Sequence, residues 1–196
     1  MPRHETIVTF DELSSKDPKV KYGAAKTLLS LARTNPAEVY PQRDYLVTLL
    51  DSENNILKWT AIDVIGCLAC VDKDKNVADV TGRLVAFLNS GKMITANHAV
   101  SALAHFAEAY PEQREAITEE LLKVEHYTYD TEECRNIAMG NVITAIGPYF
   151  PALQNKHNVL RFARRQANNS RHATAKKAQA FLKKYSSERR LPLPRV

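Results

Sequence analysis

The sequence predicts an all-α solenoid, a stack of helix pairs, and three observations predict it. First, one column of small residues recurs through the chain: Ala24, Ala61, Ala99, Ala138 and Ala178, at offsets of 37, 38, 39 and 40. The same four offsets carry Leu28 to Ile65, Leu103, Val142 and Leu182, and Leu31 to Leu68, Phe106, Ala145 and Tyr185. A period of this size marks helical units that cannot bury their apolar faces alone. Second, no segment shows a sustained two-residue alternation, so no strands are expected. Third, prolines at 36, 41, 111, 148 and 151 punctuate the period where a missing N–H costs nothing.

Each unit reads as two helices, the second better marked. In the first unit it opens on Asp17-Pro18, an N-cap followed by a proline at the first helical position. Its apolar face is Val20, Ala24, Thr27, Leu28 and Leu31. The equivalents span about 54–71, 92–109, 131–147 and 171–185, with Asp130 and Glu133 offering a capping box for the fourth and Ser170 a cap for the fifth. The first helices are shorter, at roughly 8–15, 41–50, 75–89, 112–124 and 151–167.

The stretch Asp17-Pro-Lys-Val-Lys-Tyr-Gly-Ala24-Ala-Lys-Thr-Leu28 resembles the second helix of a HEAT repeat, an armadillo-type unit. Leu57-Lys58, Ala61 and Val64-Ile65-Gly66 match that pattern in the second unit, and Cys134-Arg135 and Ala138 in the fourth; Ala96 and Ala175 replace its basic residue in the third and fifth. The resemblance implies a right-handed α-α superhelix of about five HEAT-like repeats, ten helices. The expected units are 5–34, 36–72, 73–110, 111–148 and 149–186, forming one domain over 5–186, followed by a flexible basic, proline-containing tail over 187–196. It implies a fold and not a function.

Composition narrows the function. At 44% hydrophobic and 25% charged, the chain is that of an ordinary globular protein. No apolar run approaches the ~18 residues of a membrane span, and Met1 to Phe10 lacks the basic flank and apolar core of a signal peptide. Three cysteines do not suggest a disulfide framework, so a reducing, cytoplasmic setting is expected. The net charge of +5 hides a split: residues 1–155 hold 15 Lys+Arg against 21 Asp+Glu, a balance of −6, and residues 156–196 hold 12 against one acid, a balance of +11.

Helix geometry sorts surface from core. At 100° per residue the alanine column faces inward. The opposite row is Tyr22, Trp59, Asn97, Asn136 and Lys176; the adjacent row is Lys26, Asp63, Ser101, Gly140 and Ala180. In HEAT-like solenoids the second helices line the concave side, which makes Tyr22, Lys26, Trp59, Asp63, Asn97, Ser101 and Asn136 the candidate contacts for a protein partner. Trp59 and Tyr22 would be its aromatic anchors; packing between repeats is the other reading of both.

Two further readings come from different classes. Arg161, Arg164 and Arg165 on one helix, then Arg171, Lys176, Lys177, Lys183 and Lys184 on the next, could contact nucleic-acid phosphates, with strong salt dependence. A solvated terminal cap is the plain alternative. Trp59 and Asp63, four apart, are similar to one element of the HEAT-like DNA-alkylation-repair glycosylases, in which an aromatic face and a carboxylate favour a cationic base. Against that, this chain has one Trp, and its first four units are acidic.

No cofactor and no metal site is expected. Cys67 and Cys70 form a C-x-x-C without the strand-to-helix setting of thioredoxin chemistry or a full zinc ligand set, so they read as packing residues. His98 and His105 lie seven apart rather than four. No phosphate-cradling glycine loop or nucleophile elbow is present. The sequence points to a non-catalytic scaffold that binds a protein, leaving its partner and oligomeric state open.

Overall fold

The computed structural model describes residues 10–186, and the expected tail over 187–196 lies outside them. A 3₁₀ turn, Phe10–Ser14, leads into α1 (Pro18–Thr34), α2 (Pro36–Val39), α3 (Arg43–Leu49), α4 (Asn55–Leu68), α5 (Thr81–Leu88), α6 (Met93–Ala109), α7 (Arg114–Leu122), α8 (Glu132–Ile146), α9 (Lys156–Gln166) and α10 (His172–Ser186). No strand occurs among the described residues.

Local chemistry sets the helix starts. The Asp17 carboxylate accepts the Lys19 N–H at 2.8 Å, and Pro18 follows it as the first helical residue. The Asn54 side chain accepts the N–H groups of Ile56 and Leu57. At α8 the cap is Thr131, whose hydroxyl accepts the Cys134 N–H at 3.1 Å, rather than Asp130. Ser170 is not a cap for α10; its hydroxyl accepts from Asn136 across the neighbouring helix. Pro36 opens α2, while Pro41 and Pro151 lie in 3₁₀ turns that precede α3 and α9.

The repeating columns are the core. Ala24, Ala61, Ala99, Ala138 and Ala178 are all buried, as are Leu28, Ile65, Leu103 and Val142, while Leu182 is half-buried. Burying each such Leu or Ile contributes about 1.5–3 kcal/mol. At the C-terminal end Phe150, Phe181 and Tyr185 close the stack with ring centroids 4.6–4.9 Å apart.

Second helices α1, α4, α6, α8 and α10 are in direct contact in that order, and each packs on a shorter partner: the first 3₁₀ turn, α3, α5, α7 and α9. The shorter helices touch one another far less. The second helices therefore form the more closely packed of the two layers of an α-solenoid, its inner layer in the sense of closest packing. Two glycines permit close approach within it. A Cβ on Gly66 would lie 2.8 Å from the Ala102 Cα, and one on Gly140 would lie 2.7 Å from the Thr174 Oγ1.

Side chains tie successive pairs together. Lys75–Glu112 (2.6 Å), Arg83–Asp51 (2.7 Å) and Lys92–Asp130 (3.2 Å) each join neighbouring units. A buried acid, Asp72, forms a further link. Its carboxylate accepts from Tyr40 Oη, from Tyr110 Oη at 2.5 Å, and from the N–H groups of Asn76 and Val77 at 2.9 Å each. Burial pushes the Asp72 pKa up, but these four donors outweigh it and hold the carboxyl below its ordinary range.

Candidate functional site: the inner face

The solvent side of the inner layer is a regular grid, because each second helix repeats the same outward positions one period on. On α4 these are Ile56, Trp59, Asp63 and Cys67, with Cys70 in the 3₁₀ turn Ala69–Val71 that follows; on α6 they are Ile94, Asn97, Ser101, His105 and Glu108. Three adjoining grooves cross the grid. The largest, about 800 Å³, lies between α1, α4 and α6, and is lined by Arg33, Cys67, Cys70, His105 and Glu108 among others. The second shares His105 and Glu108 with it and continues past Ser101 to Asn141 and Thr144. The third shares Thr144 and ends at Lys177 and Lys184. Together they run from α1 to α10.

The expected contacts do not all stand open on this face. Lys26 and Ser101 are exposed. Tyr22 is half-buried, its hydroxyl accepting from Asn54 Nδ2 at 3.2 Å. Asn97 is also half-buried; its Nδ2 contacts Met93 Sδ, and its Oδ1 is enclosed without a hydrogen-bond partner. Asn136 is buried, 5% exposed, because α10 crosses over it: Ser170 and Asn169 hold its amide, and Thr174 donates to its carbonyl. Gly140 beside it is buried as well. The face is thus open over α1, α4 and α6 and partly closed where α8 meets α10.

Trp59 is half-buried. Its Nε1 donates to Thr95 Oγ1 at 2.9 Å, and its ring stacks on His98 with centroids 5.6 Å apart and planes 12° from parallel. The other side of the same imidazole meets Asp63, with Nδ1 2.8 Å from Oδ1. One indole face and the Asp63 carboxylate are therefore taken up by His98. Single-helix spacing does not show His98 as a member of this cluster. The repeat period was the available signal, since His98 lies 35 residues from Asp63 on the next inner helix.

The basic residues divide by partner. Arg165 pairs with Glu125 through two bonds (2.9 and 2.5 Å), and Arg171 pairs with Glu133 at 2.6 Å. Lys177 donates to Asn141 at 2.9 Å, and burial lowers its pKa, with Arg171 adding to the effect. Lys184 sits over the Tyr185 ring at 4.8 Å. Arg161 contacts His157 rather than an acid. Arg164, Lys176 and Lys183 are exposed, and among the described residues none of them is in an ion pair. Arg161, Arg164 and Arg165 lie on the outer α9, Arg171 just precedes α10 and the four lysines lie on α10, so the structure splits them between two layers.

All three cysteines are free thiols. Cys70 is exposed and donates to the Cys67 carbonyl at 3.3 Å; burial pushes the Cys67 thiol pKa up. Both line the largest groove, and Cys67 also packs against the core, as a packing residue would. Among the described residues no three of His, Cys, Asp and Glu cluster so as to hold a metal ion.

Stacked helix pairs, an inner layer in continuous contact and a repeating core column define an α-solenoid of the HEAT/armadillo type. Solved structures agree. An engineered protein from the Northeast Structural Genomics Consortium superposes with a TM-score of 0.57 at 21% identity, over 88% of this chain and 75% of that one. A second engineered protein from the same consortium gives 0.56 at 21%, over 88% of this chain and 46% of the other. A designed armadillo repeat protein gives 0.52 at 19%, over 88% and 79%. These likenesses show the fold alone. No family model matches the chain, and no curated protein matches its sequence significantly.

Proposed function

We infer that the protein is a non-catalytic scaffold that binds a protein partner along the open part of its inner face. The observation that carries this reading is the series of three adjoining grooves from Arg33 to Lys184, floored by a closely packed layer and lined by side chains with few internal commitments, Ser101, His105 and Thr144 among them. Loosely committed polar groups above a fixed frame suit recognition. Trp59 contributes as a half-buried edge rather than as a projecting anchor. Among the described residues no helix is long and apolar enough to cross a membrane, and the free thiols fit a reducing setting such as the cytoplasm.

The test is capture of a partner from lysate by the wild type and by Ser101→Arg/Thr144→Arg. Both positions are exposed, so the melting temperature should hold while the captured band is lost. The control, Ala116→Arg on the outer helix α7, should capture normally. Equal capture by all three proteins would refute the inner-face assignment.

A second reading, nucleic-acid binding through the basic end, is supported by the exposed and acid-free Arg164, Lys176 and Lys183. With about three or four phosphate contacts, log K should fall with log salt at a slope of about −3 on duplex DNA. Reversal of these three charges should flatten that slope. The base-release reading draws little from this geometry, since His98 occupies the Trp59 face and the Asp63 carboxylate together.

A further inference from the structure

We propose that the open inner face takes an acidic polypeptide segment carrying aliphatic side chains, seated across α1, α4 and α6; this rests on the inner-face reading above. Residues 1–155 are net acidic by six charges, yet the inner face they build is not. On α1 its outward positions are Lys19, Lys26 and Arg33, all exposed and, among the described residues, in no ion pair. Some of its acids are spoken for, Asp63 by His98 and Glu133 by Arg171, leaving Glu108 and, on α8, Glu132. The acidic excess lies instead on outer helices and turns, for example Glu115 and Glu119 on α7 and Asp74 between units.

Beside those cations stand two exposed aliphatic side chains, Ile56 at 41% and Ile94 at 47%. They occupy equivalent positions on adjacent inner helices, 38 residues apart, at an ordinary interhelical spacing of about 10 Å. A segment in the polyproline II conformation rises ~3.1 Å per residue with three residues per turn, so side chains three apart lie on one face and match that spacing. Aliphatic groups on the segment would cover Ile56 and Ile94, and its carboxylates would reach Lys19, which holds the equivalent position on α1, and Lys26 beyond it. A nucleic-acid strand fits less well, because it offers no aliphatic groups to this pair and would bring phosphates towards Glu108 and Asp63.

The experiment is a fluorescence-anisotropy titration with a labelled peptide of about twelve residues, ~40 Å when extended, made of Glu with Leu at every third position. The same peptide with Lys for Glu and a single-stranded oligothymidine of similar length are run beside it, at ~50 mM salt, where surface charges are least screened. The Glu/Leu peptide should bind best. Lys19→Glu/Lys26→Glu and, separately, Ile56→Ser/Ile94→Ser should each weaken it at least ~10-fold, with circular-dichroism melts unchanged because all four side chains are exposed. Equal or tighter binding of the Lys/Leu peptide or the oligonucleotide would overturn the acidic class. If that Lys/Leu binding is still weakened by Ile56→Ser/Ile94→Ser, the inner-face reading survives. If the Glu/Leu peptide binds but no inner-face substitution moves it, the inner face itself is wrong, and no binding of that peptide overturns the proposal.

Discussion

Asp72→Asn removes one charge at a buried polar link between successive helix pairs and leaves the side-chain volume intact. Each carboxylate oxygen accepts twice: Oδ1 from Asn76 N–H and Tyr40, Oδ2 from Val77 N–H and Tyr110. An amide can present only one acceptor oxygen. Whichever way it sits, its NH₂ faces one backbone N–H, which loses its partner at about 1–3 kcal/mol. The tyrosine hydroxyl on that side can turn to accept. Weaker, uncharged acceptance on the other side adds roughly 1 kcal/mol. A total near 3 kcal/mol corresponds to a fall of about 6–12 °C in melting temperature for a chain of this length. Differential scanning calorimetry at neutral pH measures it, with the exposed Asp74→Asn as control. The pH dependence follows from the depressed carboxyl pKa. The stabilisation is fully present above the unfolded value of about 4 and is lost as pH falls through the lower folded value. The gap between wild type and variant should therefore close on acidification below about pH 4. A shift under 1 °C, or a gap that widens in acid, would refute the reasoning.

Three other outcomes are expected. Gly66→Ala should lower stability by about 1–3 kcal/mol in urea melts, because its Cβ would press on the Ala102 backbone, which cannot swing aside. Trp59→Phe should cost roughly 1–2 kcal/mol in urea melts through the unpaired, buried Thr95 hydroxyl. Burial pushes the Tyr149 pKa up to about 12, so its neutral form stabilises the fold fully below pH ~10, and this is lost between ~10 and ~12 at about 1.4 kcal/mol per unit. Tyr149→Phe should make alkaline unfolding shallower over that window.

The inward direction of the chain was legible from one-dimensional spacing, because a repeat forces the same helical face to be buried five times. Ala61, Ala99, Ala138 and Ala178 all have 0% exposure. Caps were legible where the side chain is adjacent in sequence, as at Asp17. The site was only partly legible, because its state depends on the neighbouring helix. Asn136 and Gly140 lie on the outward arc of α8 but are covered by Thr174 and Ser170 of the next unit. Asp72 sits in a turn, where helical position says nothing, and its four donors come from three separate segments. The charge of the inner face was hidden because averaging over 155 residues merges two layers of opposite character.

The side-chain hydrogen bonds that join successive helix pairs link residues 31 to 41 apart, from Thr118–Tyr149 to Tyr129–Leu88. Among the described residues each pair is thus fastened only to its neighbours, like links rather than like a knot. A pulling force applied at the two ends is carried in full by every junction in turn. The protein should then lengthen in steps of roughly one helix pair, the weakest junction first, and regain its length in the same increments when the load is released. A binding partner that lies across several junctions would act as a splint, raising the force at which the first step occurs.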